Sequence, residues 1–191
     1  MTKETIENLP GILRNHICAM RRVSRDDSRA SYMCESSIKV IDFDKIPKDY
    51  SRIMKLPVMP ASNDALYISA DSKWHFIEFK NGTVDKLNIH RKIYDSIIML
   101  IELGIIPNFH FARENINYIL VYNSNNYSKV PESESREANF SYILKLAQEE
   151  SRLFGVEKLE KYLVRETHTY TKELFEKNFV IPMEQQENHF E

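Results

Sequence analysis

The sequence predicts an α/β (α+β) domain, a central mixed β-sheet flanked by helices, with residues 1–191 as a single unit. Three observations predict it. Two apolar stretches, Ala65–Ala70 and Lys73–Lys80, stand close enough to pair as a β-hairpin. The following run, Leu87–Gly104, switches to helical spacing, with Ile89, Ile93, Ile97, Leu100 and Ile101 on one broad face. A further strongly apolar stretch, Ile116–Asn123, supplies another strand, and helices and strands that interleave in this way pack as helices on a sheet.

The first element is a helix over about Thr5–Met20, drawn from Ile6, Leu9, Leu13, Ile17 and Met20, with Pro10 as a boundary or first-turn residue. Arg21–Ser31 is polar and reads as a loop or a solvated helix face. Ser36–Ile46 is a strand by its β-branched content, and Pro57 and Pro60 keep the next segment out of any central strand. In the hairpin, Asp71 and Ser72 suit a tight connection. Asn81-Gly82 ends its second strand, because both residues tolerate positive φ. Gly104 caps the long helix. Residues 124–137 are low in hydrophobicity and read as an exposed, mobile loop. A helix near Ala138–Phe154 stops at Gly155, a strand lies near Tyr162–His168, a short helix near Thr171–Asn178, and the tail from Met183 is expected to fray.

Composition narrows the function classes. With 42% hydrophobic and 28% charged side chains in 191 residues, the chain has the make-up of one globular domain with a sizeable core. No apolar run reaches the ~20 residues of a membrane span, and acidic residues stand where a secretion signal is basic. Cys18 and Cys34 lack CxxC or framework spacing and read as free thiols in a reducing, cytoplasmic setting. Scattered histidines argue against zinc, and four separated glycines exclude a glycine-rich phosphate loop. The net charge of −2 is uneven: residues 132–191 carry 13 acidic and 8 basic side chains. Two local basic groups remain upstream, Arg14, Arg21, Arg22, Arg25 and Arg29, and then Lys80, Lys86, Arg91 and Lys92. Such local excess attracts a polyanion without a high overall isoelectric point.

Glu78 and Lys80 interrupt the second hairpin strand at its end. Alternation puts both on one face with Trp74 and Phe76, while Ile77 and Phe79 point to the other. Two apolar faces mark a central strand covered on both sides. Charges in that position are partly desolvated, and they are paired or bind a metal, because an isolated buried charge costs several kcal/mol. Asp64, at the start of the preceding strand, is the third member of the group. A two-residue Asp71-Ser72 loop sets Asp64 opposite Phe79, on the wrong face. A three-residue loop or a bulge sets it opposite Glu78, and that is the expected geometry. Two carboxylates there suit a shared divalent cation, with oxygen ligands at roughly 2.0–2.2 Å for magnesium. Arg91 and Lys92, opening the next helix, are the candidate nucleic-acid contacts.

Asp64, the E-x-K element of Ile77-Glu78-Phe79-Lys80 and the amphipathic helix behind it resemble the core of the PD-(D/E)XK nuclease-like superfamily. Residues 61–101 are similar to a group of uncharacterised bacterial proteins with this pattern, Asn63 here standing before Asp64 where the pattern has proline. The resemblance implies a restriction-endonuclease-like core and a metal-dependent nuclease that hydrolyses phosphodiester bonds of DNA, with RNA as second choice. It implies Mg2+ or Mn2+ held by Asp64 and Glu78, and Lys80 orienting or activating the attacking water. An additional acidic ligand from an early helix is often part of such sites, and Glu35 is the nearest candidate by position. The alternative is a catalytically inactive member of the same fold that binds a protein partner, as an inhibitor, immunity or assembly component, or that forms a homodimer. A third reading is a nucleic-acid-binding protein without catalysis.

Overall fold

The computed structural model describes residues 1–26, 30–126, 145, 149–150 and 152–190. Its strands are β1 (Ile17–Ala19), β2 (Arg25–Asp26), β3 (Ser31–Tyr32), β4 (Lys39–Asp42), β5 (Ala65–Ile68), β6 (Trp74–Lys80), β7 (Ile116–Tyr122) and β8 (Glu166–Thr171). Six of them form one mixed sheet in the order β1-β4-β5-β6-β7-β8, and β2 and β3 form a separate small hairpin. The first three contacts of the large sheet are antiparallel, and β6-β7 and β7-β8 are parallel. The expected α+β architecture, a central mixed sheet flanked by helices, is the one found.

Strand β6 is central, and its two faces meet different neighbours. Phe76 packs edge-on against Phe43 at 5.0 Å between centroids, and Trp74 against Phe111 at 5.9 Å. On the opposite face, His75 meets Phe179 at 5.2 Å and Phe79 meets Phe175 at 5.7 Å. Every residue of β7 is buried, as expected of a parallel strand covered on both sides.

The helices before and between these strands are α1 (Lys3–Asn8), α2 (Gly11–Arg14), α3 (Met20–Val23), α4 (Ile46–Met54), α5 (Lys86–Glu102) and α6 (Phe109–Asn115). Helix α5 fulfils the sequence expectation. Asp85 caps it by accepting from the amides of Leu87 and Asn88 at 3.0 and 3.3 Å. It buries Ile89, Ile93, Ile97, Met99 and Leu100, each worth about 1.5–3 kcal/mol relative to exposure. Gly104 ends it with φ +65°, the left-handed conformation that glycine adopts without strain.

Several expectations are corrected. The single helix over Thr5–Met20 is instead two short helices and a strand. Leu9, before Pro10, is extended at φ −66°, ψ 141°, the conformation that a following proline ring enforces. Ile17–Ala19 then leaves helical geometry to pair with Lys39–Ile41. The strand near Tyr162–His168 begins later, at Glu166. The short helix near Thr171 is Lys172–Phe175, which continues through a wide turn, Glu176–Val180, into a helix Ile181–Phe190 where fraying was expected. That last helix is tied down: Glu187 accepts from Tyr67 Oη at 2.8 Å and pairs with the Met1 ammonium, and Glu184 accepts from Ser36 Oγ at 2.7 Å. Neither Asn81 nor Gly82 has positive φ; Asn81 ends β6 through its side chain. Most of the helix expected near Ala138–Phe154 and most of the loop 124–137 lie outside the described residues; at its expected end, Glu149, Glu150 and Arg152–Phe154 are not helical. Among the described residues no helix is long and apolar enough to cross a membrane.

Candidate active site

The hairpin register brings the first two members together. Pairs run Ala65–Ile77, Leu66–Phe76, Tyr67–His75 and Ile68–Trp74. They continue through Ser69 and Lys73, whose backbone N and O lie 2.9 Å apart. Ala70-Asp71-Ser72 is therefore a three-residue loop, and Ser72 closes it with φ +63°, the left-handed third residue of such loops. Extended the other way, the same register sets Asp64 opposite Glu78.

Asp64 lies just before β5 and is held from both sides. Its backbone carbonyl accepts from the Phe43 amide at 3.0 Å, and its Oδ2 accepts from the Phe79 amide at 2.7 Å. The approach to it is anchored on α5: the Asn63 amide and Nδ2 both donate to Ser96 Oγ at 3.1 Å, and the Ala61 amide donates to Asp95 Oδ2 at 2.9 Å. Asn63 is fully buried and ties this segment to α5 through its backbone and side-chain amides.

Glu78 has no solvent exposure, and two ammonium groups reach it. Lys80 Nζ lies 2.6 Å from Glu78 Oε1, and Lys92 Nζ lies 2.7 Å from the same oxygen. Lys92 also donates to Asp64 Oδ1 at 3.1 Å. Asp64, Glu78 and Lys80, the three residues marked from sequence, thus converge, with Lys92 as a fourth. Glu78 Oε2 is buried without a hydrogen-bond partner, and so is the Tyr118 hydroxyl. Burial pushes Tyr118 well above its ordinary pKa, and the charges of Glu78 and Asp64 push further in the same direction.

Electrostatics follow from this packing. Burial raises Asp64 well above the usual carboxylate range, the Glu78 charge adds to the rise, and Lys92 opposes it. For Lys92, burial works against the ammonium, but the charges of Asp64 and Glu78 and the Glu78 hydrogen bond outweigh it and hold the pKa above that of an ordinary lysine.

Of the group, Asp64 and Lys80 line a cleft of about 470 Å³ together with Arg25, Asp44, Asn81 and Gly82, while Glu78 is fully buried. One wall is the β2-β3 hairpin, pinned to the end of β6 by Asn81. The Asn81 Nδ2 donates to Asp26 Oδ2 at 2.7 Å and to Ser31 Oγ at 3.1 Å, and Asn81 Oδ1 accepts from Asn123 at 2.7 Å.

The other candidates fall elsewhere. Glu35 is a surface residue paired with Arg21 at 2.7 Å. Arg91 is exposed, pairs with Asp95 at 3.5 Å and lines a separate groove with Tyr50, Met59 and Ile98. Lys92 turns inward to the carboxylates rather than outward to solvent. Arg29 lies outside the described residues. Sequence reasoning missed Asp44, whose Oδ1 accepts from Ser62 Oγ at 2.8 Å and whose charge acts on both Asp64 and Lys92. The available signal was an aspartate in the short turn that follows β4.

Among the described residues, no group of three or more His, Cys, Asp or Glu side chains is placed to hold a metal ion. The pair Asp64 and Glu78, with an unpartnered buried oxygen, fits magnesium or manganese better than zinc. Magnesium keeps several waters and is commonly bound through one or two carboxylates plus substrate phosphate. Comparison with family models, curated proteins and solved structures finds no match to this chain.

Proposed function

We propose that this protein is a metal-dependent nuclease of the PD-(D/E)XK type, hydrolysing phosphodiester bonds of DNA, with RNA as the second choice of substrate. The observation that carries the reading is the convergence of Asp64, Glu78 and Lys80 beside an open cleft. In this reading Asp64 and Glu78 hold Mg2+ or Mn2+, which when bound polarises the phosphoryl oxygen and acidifies a bound water. Lys80 is partly exposed, so its ammonium is placed to orient the attacking water and to stabilise charge building on the phosphate. Arg25 and Lys80 supply positive charge to the cleft lining for the flanking backbone. The β2-β3 wall and the buried base of the site restrict water, which strengthens these interactions.

The test is cleavage of plasmid and single-stranded DNA with magnesium or manganese by wild type, Lys80→Ala and Glu78→Ala. Loss of cleavage in both variants supports the reading, whereas equal cleavage by all three proteins assigns the activity to a contaminant or another site.

A second reading, a catalytically silent member of the fold that binds a protein partner, has one observation in its favour. Two lysines already neutralise the two carboxylates. Absence of metal binding together with a stable protein complex would select it.

A further inference from the structure

The carboxylate pair already holds a cation of its own. Lys92, from the second turn of α5, donates to Asp64 Oδ1 at 3.1 Å and to Glu78 Oε1 at 2.7 Å, with 15% of its side chain exposed. Lys80 reaches Glu78, but it is Lys92 that spans the two carboxylates. An ion shared by Asp64 and Glu78 competes with Lys92 for Asp64 Oδ1, because Oδ2 is taken by the Phe79 amide, and an ammonium and a divalent cation in one low-dielectric pocket repel each other strongly. The buried, unpartnered Glu78 Oε2 offers an entering ion a donor that Lys92 does not use. Four methylenes and rotatable single bonds let the ammonium withdraw while α5 stays in place.

We propose that Lys92 is the resident counter-ion of this site, and that a divalent cation enters by displacing its ammonium. Lys92 therefore sets the metal affinity and keeps the carboxylate pair paired until an ion arrives. The inference rests on Asp64 and Glu78 being the ligands, as the nuclease reading holds, and goes beyond it in assigning Lys92 a role opposed to metal binding.

Calorimetric titration of Mn2+ into the full chain tests it, with wild type, Lys92→Met, Lys92→Gln and Glu78→Gln compared. Both Lys92 variants are expected to bind Mn2+ at least about tenfold more tightly than wild type, with a larger rise in thermal midpoint on adding Mn2+. Should the Lys92 variants be unfolded without metal, as loss of the ion pair of the largely buried Asp64 would favour, refolding on Mn2+ addition supports the proposal and failure to refold overturns it. Equal or weaker Mn2+ binding by folded Lys92 variants, abolished by Glu78→Gln, overturns the role of Lys92 and leaves the metal site standing. No Mn2+ binding by any of the four proteins overturns both.

Discussion

The Phe79 amide donates to Asp64 Oδ2 at 2.7 Å while Lys92 occupies Asp64 Oδ1 at 3.1 Å. One carboxylate is thus both a backbone cap and a counter-ion, and removing it differs from neutralising it. Asp64→Ala leaves the Phe79 amide without its acceptor and is expected to lose about 1–3 kcal/mol in urea unfolding. Asp64→Asn keeps an acceptor of the same shape and removes a charge that burial disfavours. Its stability should stay within about 1 kcal/mol of wild type. Both variants should lose Mn2+ binding, and wild-type metal affinity in Asp64→Asn would remove Asp64 from the ligand set.

The register, held by the pairs from Ala65–Ile77 to Ser69–Lys73, sets the site. Deleting Asp71 leaves Ala70 and Ser72 as a two-residue connection between the same strand ends, so Asp64 stays opposite Glu78. The proposed nuclease activity is expected to persist. Loss of cleavage in a folded deletion variant would show that the loop contributes to the site beyond the register. Ser72→Gly keeps the loop and relieves the left-handed backbone of a non-glycine residue at φ +63°. It should add about 1 kcal/mol of stability with unchanged activity.

Burial lowers His75 to about 4, although the nearby Asp71 charge raises it somewhat. A histidine depressed in the folded state binds its proton first in the unfolded chain. Its contribution is therefore complete above the ordinary pKa near 6.5 and is lost as pH falls toward 4. The loss is on the order of 3 kcal/mol across that window. Asp64, raised in the folded state, slopes the other way, so the difference between wild type and His75→Phe isolates the histidine. Parallel stability-pH curves for the two proteins would contradict the assignment.

Asn81 fastens the β2-β3 wall to the strand that carries Glu78. Asn81→Ala should cost about 1–3 kcal/mol and speed proteolysis within residues 25–32, as local opening of a weakly anchored hairpin predicts. Unchanged digestion kinetics would mean that the wall is held by other contacts.

Much of the site was legible because it depends on local pattern. Alternation placed Glu78 and Lys80 on one face and His75 on the other. The choice between two loop lengths reduced the position of Asp64 to one register question. Helix α5 announced itself by its apolar face and its terminal glycine. What stayed hidden depends on tertiary partners. Ile17–Ala19 has helical spacing but gains more from pairing with β4. Helix α4, with Pro47 in its first turn and Ile46, Pro47, Tyr50 and Ser51 buried, packs its short apolar face only through tertiary contact. The tail helix is held by Tyr67 and Ser36, far away in sequence. Lys92 reads as a solvated first-turn cation until the sheet places two carboxylates beneath it, and no spacing rule reveals that.

Three of the four residues that meet at the site are near neighbours along the chain: Lys92 is 14 positions from Glu78 and 28 from Asp64. Closing such short loops costs little entropy, whereas the parallel pairing of β6 with β7 and of β7 with β8 must wait for long crossovers. The expected order of folding forms the hairpin and α5 early, bringing opposite charges together while water still surrounds them. Conservative core substitutions should then give high φ-values at Leu66 and Ile93 and low ones at Val121, and the reverse ranking would refute that order. Assembly in this sequence spares the chain from ever dehydrating an unpaired carboxylate.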